Sequence, residues 1–518
     1  MLVSDFIEKA KKLYPEKEAV VCGDIRLNYD QFYNRSKKLA VYFQKNGIGK
    51  GDVISILHYN CHCFLEAYYA AAFCGAILNP LNVRLAPNEI LYITRDAGSK
   101  IFITNQEYSS QLERIKAHLG TTIWTKNGMP ESFPEIHYED CIAAIENSDQ
   151  LKPVAIDEHD AAHLYYTSGT TGKPKGVILS HKNVISHSLC AIGEFAISDQ
   201  DNWLHAAPMF HLADAWASFA FTVAGAKHTM LSQFREKKVF ELIEKEKITI
   251  SNMIPTMLNM LINSREIDNY SLSSLRVILS GGAPIAPELV KKIIEKFNCD
   301  YIQTYGMTET SPYLTISKLK GHLKNLSDAE QRKYKSKTGR EFLSVTLRVV
   351  RDDGSDIQAN DEEVGEIIVK GDSITQGYWK LPEETKESIR NGWLYTGDMA
   401  TIDKEGYVTI VDRKKDIIIT GGENVYSTEV EYAIYEHPAV LEVAVIGIPD
   451  EKWGEAIKAV VVLKQAKSVT GNEIITFVKK RIASFKVPKS LDFVDALPKT
   501  GSGKIAKQVL RNKYLRNG

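Results

Sequence analysis

An excess of charge of either sign is missing from this chain: 64 lysines and arginines stand against 65 aspartates and glutamates in 518 residues. That balance excludes a general nucleic-acid or membrane-surface role, since both need a strong positive excess. Cysteine is scarce, with seven residues at no framework spacing. The count excludes a disulfide scaffold and suits a reducing, cytoplasmic compartment. Paired CxxC or HxxxH spacing is also lacking, so Cys61, His62, Cys63 and Cys74 are expected as buried helix residues rather than zinc ligands. Long apolar runs are absent too. The most apolar helical stretch, Cys63–Leu78, is interrupted by Glu66 and is too short to span a bilayer. Residues 1–18 are charged and amphipathic, so no secretory leader is expected there. Neither internal repeats nor low-complexity segments occur.

What is present is the texture of a globular α/β protein, 44% hydrophobic and 25% charged. Its length exceeds what one core supports, so at least two domains are expected. Leu2–Lys12 and Asp30–Lys45 carry apolar residues three and four apart, which predicts amphipathic helices. Asp52–Leu57 predicts a strand, and alternation of the two periods continues through Val277–Leu279 and Tyr301–Gln303, implying largely parallel sheets. After about Arg340 come short strands and turns, at Thr346–Val350, Gly365–Lys370 and Gly406–Val411, read as a small β subdomain. Beyond Asp412–Lys415 the pattern gives a helix (Ser427–Glu436), strands (Val440–Ile446, Ala456–Leu463), a helix (Gly471–Phe485) and a last helix from Lys504. The polar stretch His322–Lys337 reads as a surface helix or loop.

The ten residues Thr167–Gly176 carry the clearest chemistry. Thr167, Ser168, Thr170 and Thr171 bring hydroxyls, Gly169, Gly172 and Gly176 bring close backbone approach, and Lys173 and Lys175 bring charge. This is the composition of a phosphate-holding loop. It is not a Walker A loop, because Pro174 follows the lysine and strand-like residues flank it, His163–Tyr166 before and Val177–Leu179 after.

With Tyr166 before it and Ser180-His181 after it, the loop resembles the AMP-binding signature of the adenylate-forming superfamily. That group comprises acyl- and aryl-CoA ligases, firefly-type luciferases and the adenylation domains of peptide synthetases. Further motifs follow in the family's order: Gly281-Gly282-Ala283-Pro284, Tyr305-Gly306-Met307-Thr308-Glu309, Tyr395–Asp398, Asp412–Asp416 and Pro498–Ile505. The resemblance covers nearly the whole chain. It implies a large N-terminal domain of layered α/β sheets with a small β subdomain (1–412), then a small mobile C-terminal α+β domain (413–518) hinged near Lys415.

It also implies an ATP-dependent acid–CoA ligase using ATP, Mg²⁺ and coenzyme A. The Thr167–Gly176 loop would hold the leaving phosphates. Thr308 would bind the α-phosphate, and Glu309, with Thr170, would ligate Mg²⁺. Gly281–Pro284 and Tyr305 to Met307 would frame the adenine and the acid. Asp398 and Arg413 would grip the ribose and phosphate, although a turn-capping role for Asp398 is open on local sequence alone. Lys504 would bridge the carboxylate and α-phosphate during adenylation. Rotation at Lys415 would then bring Gly421, Gly422 and Glu423 to the site to pass the pantetheine arm. A lysine at the hinge, where many relatives carry aspartate, leans towards the coumarate-ligase-like branch.

The acid is less legible. Pro208–His211, the helix after it and the glycines would line the acyl pocket, with His211 gating it or simply packed. A medium- or long-chain fatty acid is the first reading and an aryl acid the second. Asp214 raises a substrate ammonium, as in a stand-alone amino-acid adenylating enzyme, and a luciferase-like oxygenase shares the same motifs. The basic tail after Lys479 suits a solvated face or part of coenzyme A. Peripheral membrane contact and a homodimer stay open.

Overall fold

A computed structural model describes residues 1–125, 133, 136–167, 173–283, 285, 287–465, 467–499 and 505–515. The chain forms two compact units, Met1–Leu347 with Val369–Leu394, and Arg348–Ile368 with Tyr395–Gly518. The α/β layering expected from the alternating periods is present in the first unit.

The first unit holds two sheets. In one, Asp300–Gly306, Val277–Gly281, Ile250–Asn252, Asn202–His205, Lys227–Met230 and Glu18–Cys22 lie side by side and run parallel. In the other, Ser99–Thr104, Val53–Leu57, Ile77–Pro80 and Ala161–Thr167 are parallel, and Lys175–Ser180 turns back antiparallel to the last of these. Parallel strands covered on both faces need near-continuous apolar runs. Val53–Leu57 and Ile77–Pro80 are buried at every position.

The apolar run at Cys63 becomes a helix, His62–Cys74, buried at every residue and ended by Gly75 in the left-handed region (φ 65°). Strand Ile77–Pro80 follows it. Glu66 is fully buried inside this helix, and two groups compensate it: Arg35 Nε at 2.6 Å and the Tyr138 hydroxyl at 2.7 Å. Arg35 also pairs with Glu139 at 2.7 Å. Removing Arg35 would strand a carboxylate in the core. All seven cysteines are free thiols. Among the described residues no helix is long and apolar enough to cross a membrane, and no three His, Cys, Asp or Glu side chains gather as a metal group.

In the second unit, Trp393–Ile402 pairs antiparallel with Tyr407–Arg413. Its C-terminal sheet is built on the long hairpin Val440–Asp450 with Gly454–Leu463, edged by Ile418–Thr420 and Ser490–Phe493. The helix read as Gly471–Phe485 ends at Lys479, after its buried residues Ile474 and Val478 run out. His322–Lys337 is a surface element, with helix Asp328–Ser336 burying nothing.

Four buried histidines of the first unit, His163, His181, His187 and His228, are held below the ordinary imidazole range by burial. Burial pushes His163 and His187 down to about 3 and His181 down to about 4, from 6.5. Among the described residues both ring nitrogens of His163 lack hydrogen-bond partners, and its ring stacks on Phe219 at 5.0 Å. At these positions the unfolded chain binds more protons below about 6.5, and the stability they contribute above that pH is lost as pH falls. Thermal melts should show Tm dropping steadily from pH 6.5 to 4, with His163→Leu flattening the drop. An unchanged slope in His163→Leu would overturn the assignment to this histidine.

Candidate active site

In parallel sheets the polar groups that can reach a ligand collect at the carboxyl ends of the strands, where the chain leaves the covered layers. The first unit places its motifs there. Strand Val277–Gly281 ends in Gly281-Gly282-Ala283, and its neighbour Asp300–Gly306 runs into Met307-Thr308-Glu309. Strand Asn202–His205 leads to Pro208–His211. Asn252, at the end of Ile250–Asn252, donates from Nδ2 to the Ala213 carbonyl at 2.6 Å and so ties the segment after His211 to this edge. In the second sheet, Ala161–Thr167 ends at Thr167, and Lys175 pairs with it across the hairpin. The hairpin strands match the flanks read from sequence.

Two glycines are dictated by close approach. A Cβ on Gly281 would stand 2.6 Å from Thr304 Oγ1, and one on Gly306 only 1.8 Å from the Pro312 carbonyl oxygen. Gly282 differs: it lies in the left-handed region at φ 87°, and an added Cβ would meet only Ile254 Cγ2, at an ordinary 3.9 Å. Ala283 is exposed, and its carbonyl accepts from Gln303 Nε2 at 2.9 Å.

Glu309 opens the sharpest geometry. It sits in the turn Thr308–Thr310, 7% exposed, and accepts the Tyr378 hydroxyl on Oε1 at 3.0 Å. Tyr378 belongs to the short strand Gly377–Tyr378, which pairs with Val177 and Ile178 of the hairpin. Lys175 Nζ lies 5.6 Å from the centre of the Tyr378 ring. One tyrosine thus joins the glycine-loop hairpin to the carboxylate of the Thr308–Thr310 turn. Burial and the Glu309 carboxylate both hold its phenol well above the ordinary range, so it donates at all working pH values. Tyr305, Met307 and Thr308 are half-buried beside it. His211 is half-buried, precedes helix Leu212–Ala215, and packs against Phe210 at 4.7 Å.

The second unit carries its own set. Asp398 and Arg413 are cross-strand partners, with Arg413 Nε 3.1 Å from Asp398 Oδ1. Asp398 is 5% exposed, while Arg413 and Lys415 are exposed. Gly421 and Gly422 form the two-residue turn between Thr420 and Glu423, with φ of 60° and 85°. Positive φ at both central residues is what a tight hairpin of right-handed twist demands. A Cβ on Gly421 would press 2.8 Å from the Trp453 ring. Ser168, Gly169, Thr170, Thr171, Gly172, Pro284 and Lys504 lie outside the described residues.

The ammonium role considered for Asp214 is corrected. That carboxylate is fully buried, 2.5 Å from His205 Nδ1 and 3.2 Å from Trp203 Nε1, and His205 continues to His228 at 3.1 Å. It is an internal hydrogen-bonding hub, fully buried and already engaged on both oxygens.

Comparison with known proteins bears on this arrangement. Residues 7–379 match the model of the AMP-binding enzyme family, and residues 429–504 match the AMP-binding enzyme C-terminal domain. The chain belongs to the AMP-binding enzyme family. This AMP-binding enzyme is 33% identical to 4-hydroxybutyrate–CoA ligase 2 of Metallosphaera sedula, over 98% of the chain and 93% of the relative. It is 35% identical to a long-chain-fatty-acid–CoA ligase of Thermus thermophilus, over 98% and 95%. Among solved structures, it is similar to o-succinylbenzoate CoA synthetase from Bacillus subtilis in complex with an acyl-adenylate intermediate, with TM-score 0.84, 30% identity, and 98% and 97% of the two chains covered.

Two residues of the AMP-binding enzyme's site escape a reading of sequence. Tyr378 follows a glycine in a turn-rich stretch, and only its pairing with the hairpin shows its reach. Asn60 is buried and donates to the carbonyls of His205 and Ala207, both at 2.8 Å, while accepting from Met209 N–H at 2.8 Å. It thereby fixes the turn into His211 from a partner about 150 residues earlier in the chain. A lone polar residue between a strand and a helix was its only signal.

The glycine geometry is testable in denaturant. Gly306→Ala should destabilise the protein by about 3 kcal/mol or more through overpacking. Gly282→Ala, which adds only left-handed strain, should cost about 1 kcal/mol. Equal urea midpoints for the two variants would contradict the close approach at Pro312.

Proposed function

We propose that this enzyme is an ATP-dependent, AMP-forming acid–CoA ligase. The observation that carries the reading is the linked set Lys175, Tyr378 and Glu309, which unites the glycine-loop hairpin with a carboxylate at a strand end. Family membership and the ligases among the relatives support it.

A carboxylate and ATP repel each other, so their reaction needs charge neutralisation and in-line placement. On this reading the substrate carboxylate attacks the α-phosphorus of ATP, and the bond to the bridging oxygen breaks with release of pyrophosphate. The thiolate of coenzyme A then attacks the acyl carbonyl, and AMP leaves. Thr167–Gly176 and Lys175 bind the leaving phosphates, Thr308 the α-phosphate, and Asp398 with Arg413 the ribose. Lys504 supplies a positive charge between the carboxylate and the α-phosphate.

Mg²⁺ fits the residues present: Glu309 offers one hard oxygen ligand held in place by Tyr378, and phosphate oxygens and water complete the usual set for this ion. When bound, the ion neutralises phosphate charge, and Glu309 with Thr170 would hold it. We place the boundary of the mobile C-terminal domain at 412–413 with the hinge at Lys415, so that Lys504 and the Gly421-Gly422-Glu423 turn serve adenylation and thioester formation in turn. A cytoplasmic site of action accords with the seven free thiols.

For the acid, we favour an apolar monocarboxylate, first a medium- or long-chain fatty acid. The segment after His211 offers buried Leu212, Trp216 and Phe219, and its one carboxylate, Asp214, is engaged by His205. An aryl acid is the second reading. It is favoured by the feruloyl-CoA synthase among the relatives, 33% identical over 97% of the chain.

Purified enzyme given ATP, Mg²⁺, CoA and a panel of alkanoic and aryl acids should release AMP and pyrophosphate and form thioester. No CoA-dependent product with any acid would sink the reading. Lys504→Ala should abolish adenylate formation yet spare thioester formation from supplied acyl adenylate, whereas a bulky residue at Gly421 should do the reverse. Equal loss of both steps in either variant would refute the division of labour. Tyr378→Phe deletes one hydrogen bond to a charged group and should lower kcat/KM for adenylation about tenfold or more with the fold intact.

A further inference from the structure

The last helix of the chain, Lys507–Leu515, begins three residues after Lys504. Lys507 and Arg511 are four apart and share a helix face. Lys507 Nζ lies 2.8 Å from Glu431 Oε1 and donates to Ser427 Oγ at 2.6 Å. Ser427 gives its backbone N–H and its hydroxyl to Asp412 Oδ2, at 2.5 and 2.7 Å. The other oxygen of Asp412 accepts from the Arg413 N–H at 2.7 Å. One turn further along the helix, Arg511 pairs with Asp416 at 2.7 Å and donates to the Lys415 carbonyl at 3.2 Å. A single helix face therefore grips 412–416 at both ends.

This grip is not a surface contact. Asp412 is 3% exposed, and the side chains of Lys507, Arg511 and Asp416 are 14%, 16% and 12% exposed. Sequestered ion pairs that share hydrogen bonds favour one geometry, because displacing a partner leaves a charge uncompensated. The chain on either side of 500–504 is held as well. Lys499 and Ile505 form an antiparallel bridge, the Ala506 N–H donates to the Pro498 carbonyl at 2.8 Å, and Lys499 pairs with Glu442 at 2.6 Å.

We propose that the Lys507–Leu515 helix is a strut in which Arg511, Asp416 and Lys507 are positioning residues, setting Lys504 in register with Arg413–Lys415 for adenylation. The proposal rests on the reading of Lys504 as the adenylating lysine and Lys415 as the hinge. Thioester formation does not depend on the strut. The Gly421-Gly422 turn hangs on its own hairpin, on pairing of Thr420 with Gly454, and on the Gly421 N–H to the Trp453 carbonyl at 2.8 Å.

The two half-reactions separate these roles. In Arg511→Gln, pyrophosphate release without CoA should fall about ten- to hundredfold in kcat, the scale of an ångström-level misplacement, with KM for ATP within about twofold. Thioester formation from supplied acyl adenylate should stay within about threefold of wild type, since its turn is held elsewhere. Asp416→Asn should behave alike, Arg511→Lys should recover most of the loss, and the exchange Asp416→Arg with Arg511→Asp should recover part. Unchanged adenylation, or equal loss in both half-reactions, overturns the strut. Lys504→Ala run in parallel keeps the two readings apart. If Lys504→Ala loses adenylation while Arg511→Gln does not, the strut alone fails; if Lys504→Ala keeps adenylation, the reading of Lys504 fails and the strut with it. Should Arg511→Gln not fold, as urea unfolding would reveal, Arg511→Lys and Asp416→Asn carry the test.

Discussion

Parallel strands buried on both faces impose one constraint from which the rest of this molecule follows. Their backbone groups pair with neighbouring strands and their side chains meet helices, so ligand chemistry is confined to the strand ends. Gly281, Gly306 and Thr167 each stand where a strand stops. The chain must turn sharply there without a bulky side chain, which is why an added Cβ at Gly306 meets the Pro312 carbonyl. The glycines assigned to the adenine and the acid are thus equally a demand of the sheet. Packing and function ask for the same residue at the same place.

A core of this size cannot exclude every charge, and the way it compensates them separates structure from site. Glu66 is matched by Arg35 and Tyr138, and Asp214 by His205 and Trp203, so both charges are compensated inside the core. Glu309 is handled differently. It is nearly as buried, yet it stands in a turn at a strand end and is oriented by Tyr378. A carboxylate that is ordered at a strand end is suited to meet a cation or a polar ligand. The same contrast holds in the second unit, where Asp412 is consumed by Ser427 and Arg413 N–H while Asp398 faces the fork of Arg413.

Much of this was legible before any coordinates. Apolar residues three and four apart mark the helices Ser4–Leu13 and Tyr29–Lys45, and the strands flanking Thr167–Gly176 follow from the apolar runs on either side of it; their antiparallel pairing does not. Asp398 and Arg413 were paired by resemblance, and the antiparallel register brings them together. Less was legible where a residue's meaning lies in a distant partner. Asp214 was open to a substrate ammonium by analogy with amino-acid-activating domains, but His205 reaches it from the preceding strand. Asn60, Tyr378 and Arg511 give little local signal, since each acts on a segment far along the chain.

The sequence by itself determined the layered α/β class, the order of the motifs, and the chemistry each motif can offer, because periodicity and residue type are local properties. Tertiary structure alone decided which of those groups are spoken for. A carboxylate's partner, a tyrosine's reach from one element to another, and a helix's grip on a turn depend on contacts between residues tens to hundreds of positions apart. Burial sharpens the difference: in a low-dielectric interior every polar group must be matched, and the match is a fact of three-dimensional packing.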